Sequence, residues 1–470
     1  MTTTASKLSL GEKVCYGFGD LASVLYWQTF MVYLLFFYTD VFGISAAAAG
    51  WIFLASRIWD GVNDPLMGMV ADRTKTRWGK FRPYLLWLSG PFAIVGVLTF
   101  TTPNFSSSGK IAWAAVTFTL LMMLYTAVNI PYSALLGVLS PNPDDRTAAS
   151  SFKFAFAYTA GAIVSFTLLP MAAKLGGGNE ARGWQLSFVI YGIAAVAFFL
   201  IAFAFTRERV EPPKNQSRSM WKDVGTLGHN RPWMALVFAT LVFILFVATR
   251  GSVSVHYFKY YVGEQQLTLF GSTYTLGYAW TTSIFNGIGQ VAAILGALFT
   301  AWFAPKIGKK AAFMIYFAIA IMCTAALYPL RPEQLMAIYW LQIAGSFTGG
   351  SLSALIWAMY ADTADFGEWK TGRRATGLVF SASTMSQKIG WAIGGFVAAI
   401  LLSAVGFEAN KAASPQVQHG LRLMMSLIPA GFGVLAMGVM MLYRLNDKKM
   451  KGIEADLLLR RKESGAEPIS

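Results

Sequence analysis

The 470-residue chain holds two cysteines, three histidines and 23 acidic residues, and these scarcities narrow what it can be. Cys15 and Cys323 lie near or within apolar stretches, so neither a disulfide framework nor a thiolate metal site is expected. His229, His256 and His419 fall in separate regions and offer no cluster for a metal or a nucleophile–base pair, so an enzyme is not expected. No G-x-x-x-x-G-K-[ST] phosphate loop occurs, which disfavours a nucleotide-driven pump. The opening "MTTTASKLSLGEK" lacks the apolar core and cleavage site of a signal peptide, so the first apolar stretch is expected to act as its own insertion signal. Charged residues make up only 13% of the chain, against roughly a quarter in soluble proteins.

What is plentiful is apolar surface. Hydrophobic residues reach 55% and aromatics 15%, with a mean hydropathy of +0.50. "FMVYLLFFYTDVFG" and "VFATLVFILFVAT" belong to stretches long enough to cross about 30 Å of hydrocarbon at about 1.5 Å per residue. Twelve spans are predicted, starting at roughly residues 20, 45, 83, 111, 150, 184, 234, 273, 311, 334, 375 and 421. This is an all-α, polytopic membrane protein whose solvent is the lipid bilayer. The net charge of +15 does not point to nucleic acid, because the basic residues concentrate in alternate loops. Arg73, Lys75, Arg77, Lys80 and Arg82 form one group, the Arg207–Arg231 stretch a second, Lys306, Lys309 and Lys310 a third, and Lys370, Arg373 and Arg374 a fourth. That alternation is the positive-inside pattern, and it places both termini in the cytoplasm.

The longest polar break runs from Arg207 to Trp233. It divides an N-terminal bundle (residues 1–206) from a C-terminal bundle (234–445), with a cytoplasmic loop at 207–233 and a charged, solvated tail at 446–470. "WGK" ending at Lys80 and "IGK" ending at Lys309 stand 229 residues apart, and "DDR" ending at Arg146 and "GRR" ending at Arg374 stand 228 apart. Two loop signatures at nearly one offset suggest a duplicated six-helix unit. Parallel repeats with a midplane site are a recurrent transporter plan of the major facilitator type.

Charges inside the spans are the candidates for function. "RIWDGVNDP" sets Asp60 and Asp64 four residues apart on one helical face, with Arg57 a turn earlier and Asn63 beside them. Such carboxylates cost several kcal/mol unless a cation, a proton or a wet cavity compensates them. Hard oxygen donors suit Na+ at Asp60 and Asp64; an intrahelical Arg57–Asp60 bridge that only pins packing is the plainer alternative. In the fourth span, "LYTAVNIPYSALLG" carries Tyr125, Thr126, Asn129, Tyr132 and Ser133 as a polar stripe. It could complete a cation cage, bind a polyol or simply glue helices. Lys153, Lys388 and Arg250 are single cations within spans five, eleven and seven; snorkelling to an interface is the alternative for the lysines. Trp357 suits the C–H face of a pyranose, although such a residue more often faces core or lipid.

Taken together, "YGFGD", "YTDVFG", "RIWDGVNDPLMG", "TRWGKFRPY", "YTAVNIPY" and "ADTADFGEWKTG" resemble the glycoside–pentoside–hexuronide cation symporters, from about Leu10 to Leu445. The resemblance implies the major facilitator fold and assigns Asp60 and Asp64 to the coupling cation, with Asn63 and Thr126 at further cation positions. It also assigns Lys388 to the cavity, with Thr384 a turn before it, and aligns Lys153 with a family arginine. Departures from the melibiose carrier stand at Asn129, Val24 and Ser133, leaving Asp20 and Gln28 as the polar candidates of the first span. "VNIPY" and "GDLAS" look more like the xyloside and glucuronide branch. Asp60, Asn63, Asp64, Thr126 and Asn129 are thus the expected cation residues. The expected sugar residues are Asp20, Gln28, Tyr125, Asn129, Lys153, Arg250, Trp357, Thr384 and Lys388. The expectation is a bacterial inner-membrane symporter importing a glycoside or pentoside, xyloside-like in preference to a hexuronide, with Na+ or H+ and no other cofactor. No obligate protein partner is expected, and the basic loops around Arg77, Lys80, Arg146 and Arg374, near Asp64 and Asp72, are expected to form a cytoplasmic gate.

Overall fold

The computed structural model describes residues 8–140, 142–209, 228, 230–269, 272–372 and 376–463. Most of the central polar stretch, His229 and Arg374 lie outside the described residues, as does the side chain of Asp72. Among the described residues the chain is helical apart from one antiparallel hairpin, β1 (Gln265–Leu269) and β2 (Ser272–Leu276), where Gln265 faces Leu276 and Leu269 faces Ser272. That hairpin is the one departure from the all-α expectation.

The helices are α1 (Leu10–Val32), α2 (Ala46–Arg73), α3 (Arg82–Thr99), α4 (Ser107–Leu139), α5 (Pro143–Gly176) and α6 (Glu180–Phe205). After the central stretch come α7 (Arg231–Tyr257), α8 (Tyr278–Ile307), α9 (Lys309–Ala325), α10 (Leu335–Thr371), α11 (Thr376–Ala404), α12 (Pro415–Met425), α13 (Leu427–Met441) and α14 (Asp447–Glu463). Several starts are written locally. Ser9, Ser45, Ser106 and Asn179 each accept a bond from the backbone N–H three residues on, satisfying a donor the helix cannot. Two helices instead end in π-helical turns: Phe37–Phe42 follows α1 and Phe258–Val262 follows α7. Each stops at a left-turning glycine, Gly43 (φ 82°) or Gly263 (φ 68°).

Among the described residues, seven helical spans are long and apolar enough to cross a membrane, or eight if α1 and its bent continuation count as one. Charge and length explain most of the remainder. The segment α2 holds Arg57, Asp60 and Asp64, and α9 has only 17 residues. Even so, α2 shows a lipid-type face, with Trp51, Ile58, Leu66, Met69 and Val70 exposed while Asp60 is 2% exposed.

Packing divides the chain into two compact units. The first comprises Met1–Gln216, Gly251–Gln290 and Gly395–Leu421; the second comprises Ser217–Arg250, Val291–Gly394 and Arg422–Ser470. The first unit is held by aromatic stacking, for example Phe100 on Phe188 with ring centroids 3.5 Å apart and Trp184 alongside. In the second, α8 and α10 approach backbone to backbone. A Cβ on Gly296 would lie 1.7 Å from the Phe347 carbonyl, and one on Gly350 would lie 2.0 Å from that of Ala293. Lipid offers no hydrophobic drive between helices, so small residues that permit such contact stabilise the pair through dispersion.

Both units solve the start of a helix in the same way. Phe81 and Gly308, which precede α3 and α9, supply no side-chain cap. Glu208, just beyond α6, accepts from the backbone N–H groups of Lys80 (2.8 and 2.9 Å), Phe81 (2.7 Å) and Arg82 (3.0 Å). Asp447, at the start of α14, accepts from the Lys309 N–H at 3.2 Å. Each acid stands beside a glycine with positive φ, Gly79 (109°) or Gly308 (92°), where a Cβ would collide with the carboxylate. Neighbouring pairs fix the same end of the first unit: Lys13 with Asp145 at 2.7 Å and Glu12 with Arg209 at 2.6 Å.

The tail differs from expectation. Residues 447–463 form α14, whose Met450, Ile453 and Leu457 are buried in the apolar core of the second unit. Trp369 Nε1 donates to Asp456 at 3.0 Å, and Arg460 donates to the Trp369 carbonyl. The charged residues mask an apolar stripe at helical spacing.

Replacing Glu208 or Asp447 by alanine removes a borrowed cap, and each change is expected to cost about 1–2 kcal/mol. Thermal unfolding of the purified protein in detergent measures this. An unchanged midpoint in both variants would show that the caps contribute nothing.

Candidate functional site

The segment α2 places its charged residues along one face. Arg57 Nη1 lies 3.2 Å from Asp60 Oδ2, with both side chains buried (6% and 2% exposed). The Arg57 guanidinium also lies 4.7 Å from the centre of the Trp27 ring of α1, and Trp27 stacks on Tyr125 of α4 at 5.2 Å. Such a contact favours a desolvated cation and fixes the plane of the guanidinium. One turn on, Thr126 Oγ1 of α4 donates to Asp64 Oδ1 at 2.9 Å. Of the two carboxylates four residues apart on α2, Asp60 is thereby paired within its own helix and Asp64 from α4.

The remaining oxygens vary in how they are used. The Asn129 amide donates to the carbonyl of Tyr125 at 2.9 Å, back along its own helix. Asn63 is half-buried on α2 beside Asp64. Among the described residues there is no group of three or more His, Cys, Asp or Glu side chains placed to hold a metal ion. Two carboxylates with neutral oxygens nearby make a donor set of hard oxygens, which suits a monovalent cation or a proton.

A second charged pair sits on α1 and α5. Lys153 Nζ lies 4.0 Å from Asp20 Oδ1 and 5.3 Å from the centre of the Tyr132 ring. Tyr132 and Tyr16 each donate their hydroxyl to the other's carbonyl, at 2.8 and 3.2 Å, and their rings stack at 4.7 Å. This knot fixes α1 against α4 beneath Asp20. Gln28 Nε2 reaches Ser165 Oγ at 3.5 Å, the limit of a hydrogen bond.

The second unit holds the other candidates. Arg250 Nη2 donates to Gln342 Oε1 at 2.5 Å. Trp357 lies parallel to the Phe380 ring, 5.9 Å away, and packs on the apolar core. Thr384 donates to the carbonyl of Phe380 at 2.9 Å, and Lys388 is half-buried on the same helix. Sequence reasoning missed Trp27 and Gln342. A signal for Trp27 was present, since it lies two turns from Asp20 on the same face of α1.

Buried, paired charges inside long apolar helices mark a functional site within the membrane. Comparison with known proteins makes the class specific. A family model described as "MFS/sugar transport protein" matches residues 15–447, and the chain belongs to that family. It falls within the glycoside–pentoside–hexuronide symporter group. The chain is 37% identical to the isoprimeverose transporter of Lactiplantibacillus pentosus over 451 residues, covering 95% of this chain and 91% of that one. It is 35% identical to the inner membrane symporter YicJ of Escherichia coli (strain K12), covering 90% of this chain and 89% of the other. With the glucuronide carrier protein homolog of the same strain it shares 30% identity, covering 97% of both chains. Among solved structures, a bacterial homologue of the human lysosomal transporter Spinster superposes with a TM-score of 0.65 at 16% identity, covering 93% of this chain and 98% of that one. That likeness speaks to the fold alone, which is of the major facilitator type.

The Thr126–Asp64 bond yields a direct expectation. If Thr126 serves the cation site, Thr126→Val should weaken apparent cation affinity about tenfold, the lower end for a hydrogen bond to a charged group. Thr126→Ser should stay close to the parent. Ion titration of sugar uptake measures both, and equal ion dependence in Thr126→Val and the parent would remove Thr126 from the site.

Proposed function

We propose that this chain is a symporter of twelve spanning helices in two six-helix repeats, importing an uncharged glycoside or pentoside, preferably a xyloside, with Na+ or H+. Both termini are cytoplasmic in this reading, as the positive-inside pattern requires. The observation that carries it is the α2 face, where Asp60 and Asp64 stand one turn apart, engaged by Arg57 and Thr126. The repeats are supported by the like caps at Glu208 and Asp447 and by the π-helical ends that follow α1 and α7.

Arrival of one cation at Asp60 and Asp64, with Asn63, Thr126 and Asn129 as neutral oxygens, cancels the charge that otherwise opposes burial. Arg57 competes with the arriving cation for Asp60, so its guanidinium must yield or share that carboxylate. Sugar and cation together then permit the change of access, which requires each ligand to bind the two states with different affinity. Asp20 and Lys153 are proposed to meet sugar hydroxyls in the first unit, with Gln28 and Tyr125 beside them. The roles of Thr384 and Lys388 rest on the resemblance, and that of Arg250 on its place as a single cation within the seventh span. No other cofactor is invoked.

An uncharged substrate is preferred on charge balance. Lys153 has Asp20 nearby and Arg57 has Asp60, so the two candidate cations of α5 and α2 each have a carboxylate of their own. The identity to the isoprimeverose transporter also exceeds that to the glucuronide carrier homolog.

Asp60→Cys and Asp64→Cys should each abolish accumulation against a gradient in proteoliposomes while sugar exchange survives at a reduced rate. A counterflow panel of isoprimeverose, simple xylosides, galactosides and glucuronides, with and without Na+, should show competition from the uncharged xylosides. Wild-type accumulation in both variants would overturn the cation assignment. Tight glucuronide binding that depends on Arg250 would replace the xyloside with a hexuronide.

A further inference from the structure

The first unit also holds a cluster of uncharged polar side chains in the seam between α5 and α8. Thr282, Ser283, Asn286 and Gln290 share one face of α8. The Asn286 amide donates to the Tyr33 hydroxyl at the end of α1 at 3.3 Å and to Ser254 Oγ of α7 at 3.5 Å. Tyr33 in turn donates to the Ser165 carbonyl of α5 at 3.4 Å, and Gln28 Nε2 of α1 donates to Ser165 Oγ at 3.5 Å. One turn further along, the Gln290 amide lies 3.4 Å from where a Cβ on Gly161 of α5 would stand. The backbone of α8 is close here, because a Cβ on Gly287 would lie 2.3 Å from the Phe166 ring.

All four of these bonds are 3.3 Å or longer, against about 2.9 Å for a bond of ordinary strength. Thr300, further along the same helix, is better served and donates to the Gly296 carbonyl at 2.8 Å. Thr282 and Ser283 are 0% and 1% exposed, and among the described residues their hydroxyls have no hydrogen-bond partner. Buried polar groups are costly in that state, so stretched bonds and unpartnered hydroxyls together explain poorly as glue between helices. The hydroxyls of a ligand would supply what is missing. Side-chain amides and hydroxyls each offer both a donor and an acceptor, which is the pattern that neighbouring hydroxyls of a sugar ring match. None of the side chains in the cluster is charged, so the ring that fits it is uncharged too.

Gln28 lies eight residues along α1 from Asp20, a rise of about 12 Å, which two linked sugar rings span and one does not. We propose that Thr282, Ser283, Asn286 and Gln290 of α8, with Ser165 and Gln28, form a subsite for the second ring of an uncharged disaccharide whose first ring meets Asp20 and Lys153. The subsite rests on the uncharged-glycoside reading above and adds the size of the ligand to it.

The test uses full-length protein in proteoliposomes and counterflow of labelled methyl xyloside, a one-ring probe. Unlabelled methyl xyloside competes in one arm, and the two-ring sugars isoprimeverose and xylobiose compete in the other. In the parent at least one disaccharide should compete. Asn286→Ala and Gln290→Ala should each raise the half-competing concentration of that disaccharide about tenfold relative to that of methyl xyloside, as loss of a sugar hydrogen bond would. Gln290 is half-buried, so its alanine variant carries the comparison should Asn286→Ala fail to fold. A ratio that stays at the parent value in both variants would overturn the subsite, and an equal rise for one-ring and two-ring sugars is the result that helix glue would give. A parent in which methyl xyloside competes and neither disaccharide does would overturn the subsite alone. Competition in the parent by glucuronides and by neither xyloside nor disaccharide would instead overturn the reading of the substrate, and the subsite would fall with it.

Discussion

An ionised carboxylate in hydrocarbon is unstable unless a cation or hydrogen-bond donors replace the water it has lost. Five aspartates in or at the ends of the helices obey that constraint, each with its own donor. Asp20 has Lys153, Asp40 has Lys259, Asp60 has Arg57, Asp64 has Thr126, and Asp362 has Lys309 at 2.5 and 2.7 Å. All of these pairs but Asp60 with Arg57 join separate helical segments. In the function proposed above, the same demand supplies the chemistry: an exchangeable cation or proton takes a donor's place at Asp60 or Asp64.

The scaffold keeps those exchanges local. Glu208 and Asp447 cap α3 and α9 from outside those helices, and the glycines beside them leave room for the carboxylates. At α8 and α10 the glycine contacts Gly296–Phe347 and Gly350–Ala293 leave no freedom for the backbones to drift. Rigid units of this kind suit a transporter that changes access by moving bodies rather than by melting helices.

Much of the fold could be read from periodicity and hydropathy. Starts expected near residues 45, 83, 334 and 375 lie at Ala46, Arg82, Leu335 and Thr376. The first helix begins at Leu10 rather than near residue 20, because "LGEKVCYG" is polar enough to hide from hydropathy while Glu12 and Arg209 hold it in place. The tail helix was missed for the opposite reason: Met450, Ile453 and Leu457 are apolar positions hidden among lysines and arginines. Within the site, the pairing on α2 was legible because Asp60 and Asp64 are close in sequence. The cluster at Asp40 was not, since Lys259 is 219 residues away and only the fold brings the two together. Trp27 and Gln342 were missed for a related reason. A residue that positions a charge has no charge of its own to draw attention.

The central claim is that sugar and cation bind to one coupled system through the α2 carboxylates. Isothermal titration of a xyloside, with Na+ varied at fixed pH and then pH varied without Na+, measures that coupling directly. Linkage requires the cation to tighten sugar binding by the same factor by which sugar tightens cation binding, typically about 5- to 150-fold. The account predicts such a reciprocal factor for one of the two cations, and its loss in Asp64→Asn. A sugar affinity that is the same at every Na+ concentration and every pH would contradict it.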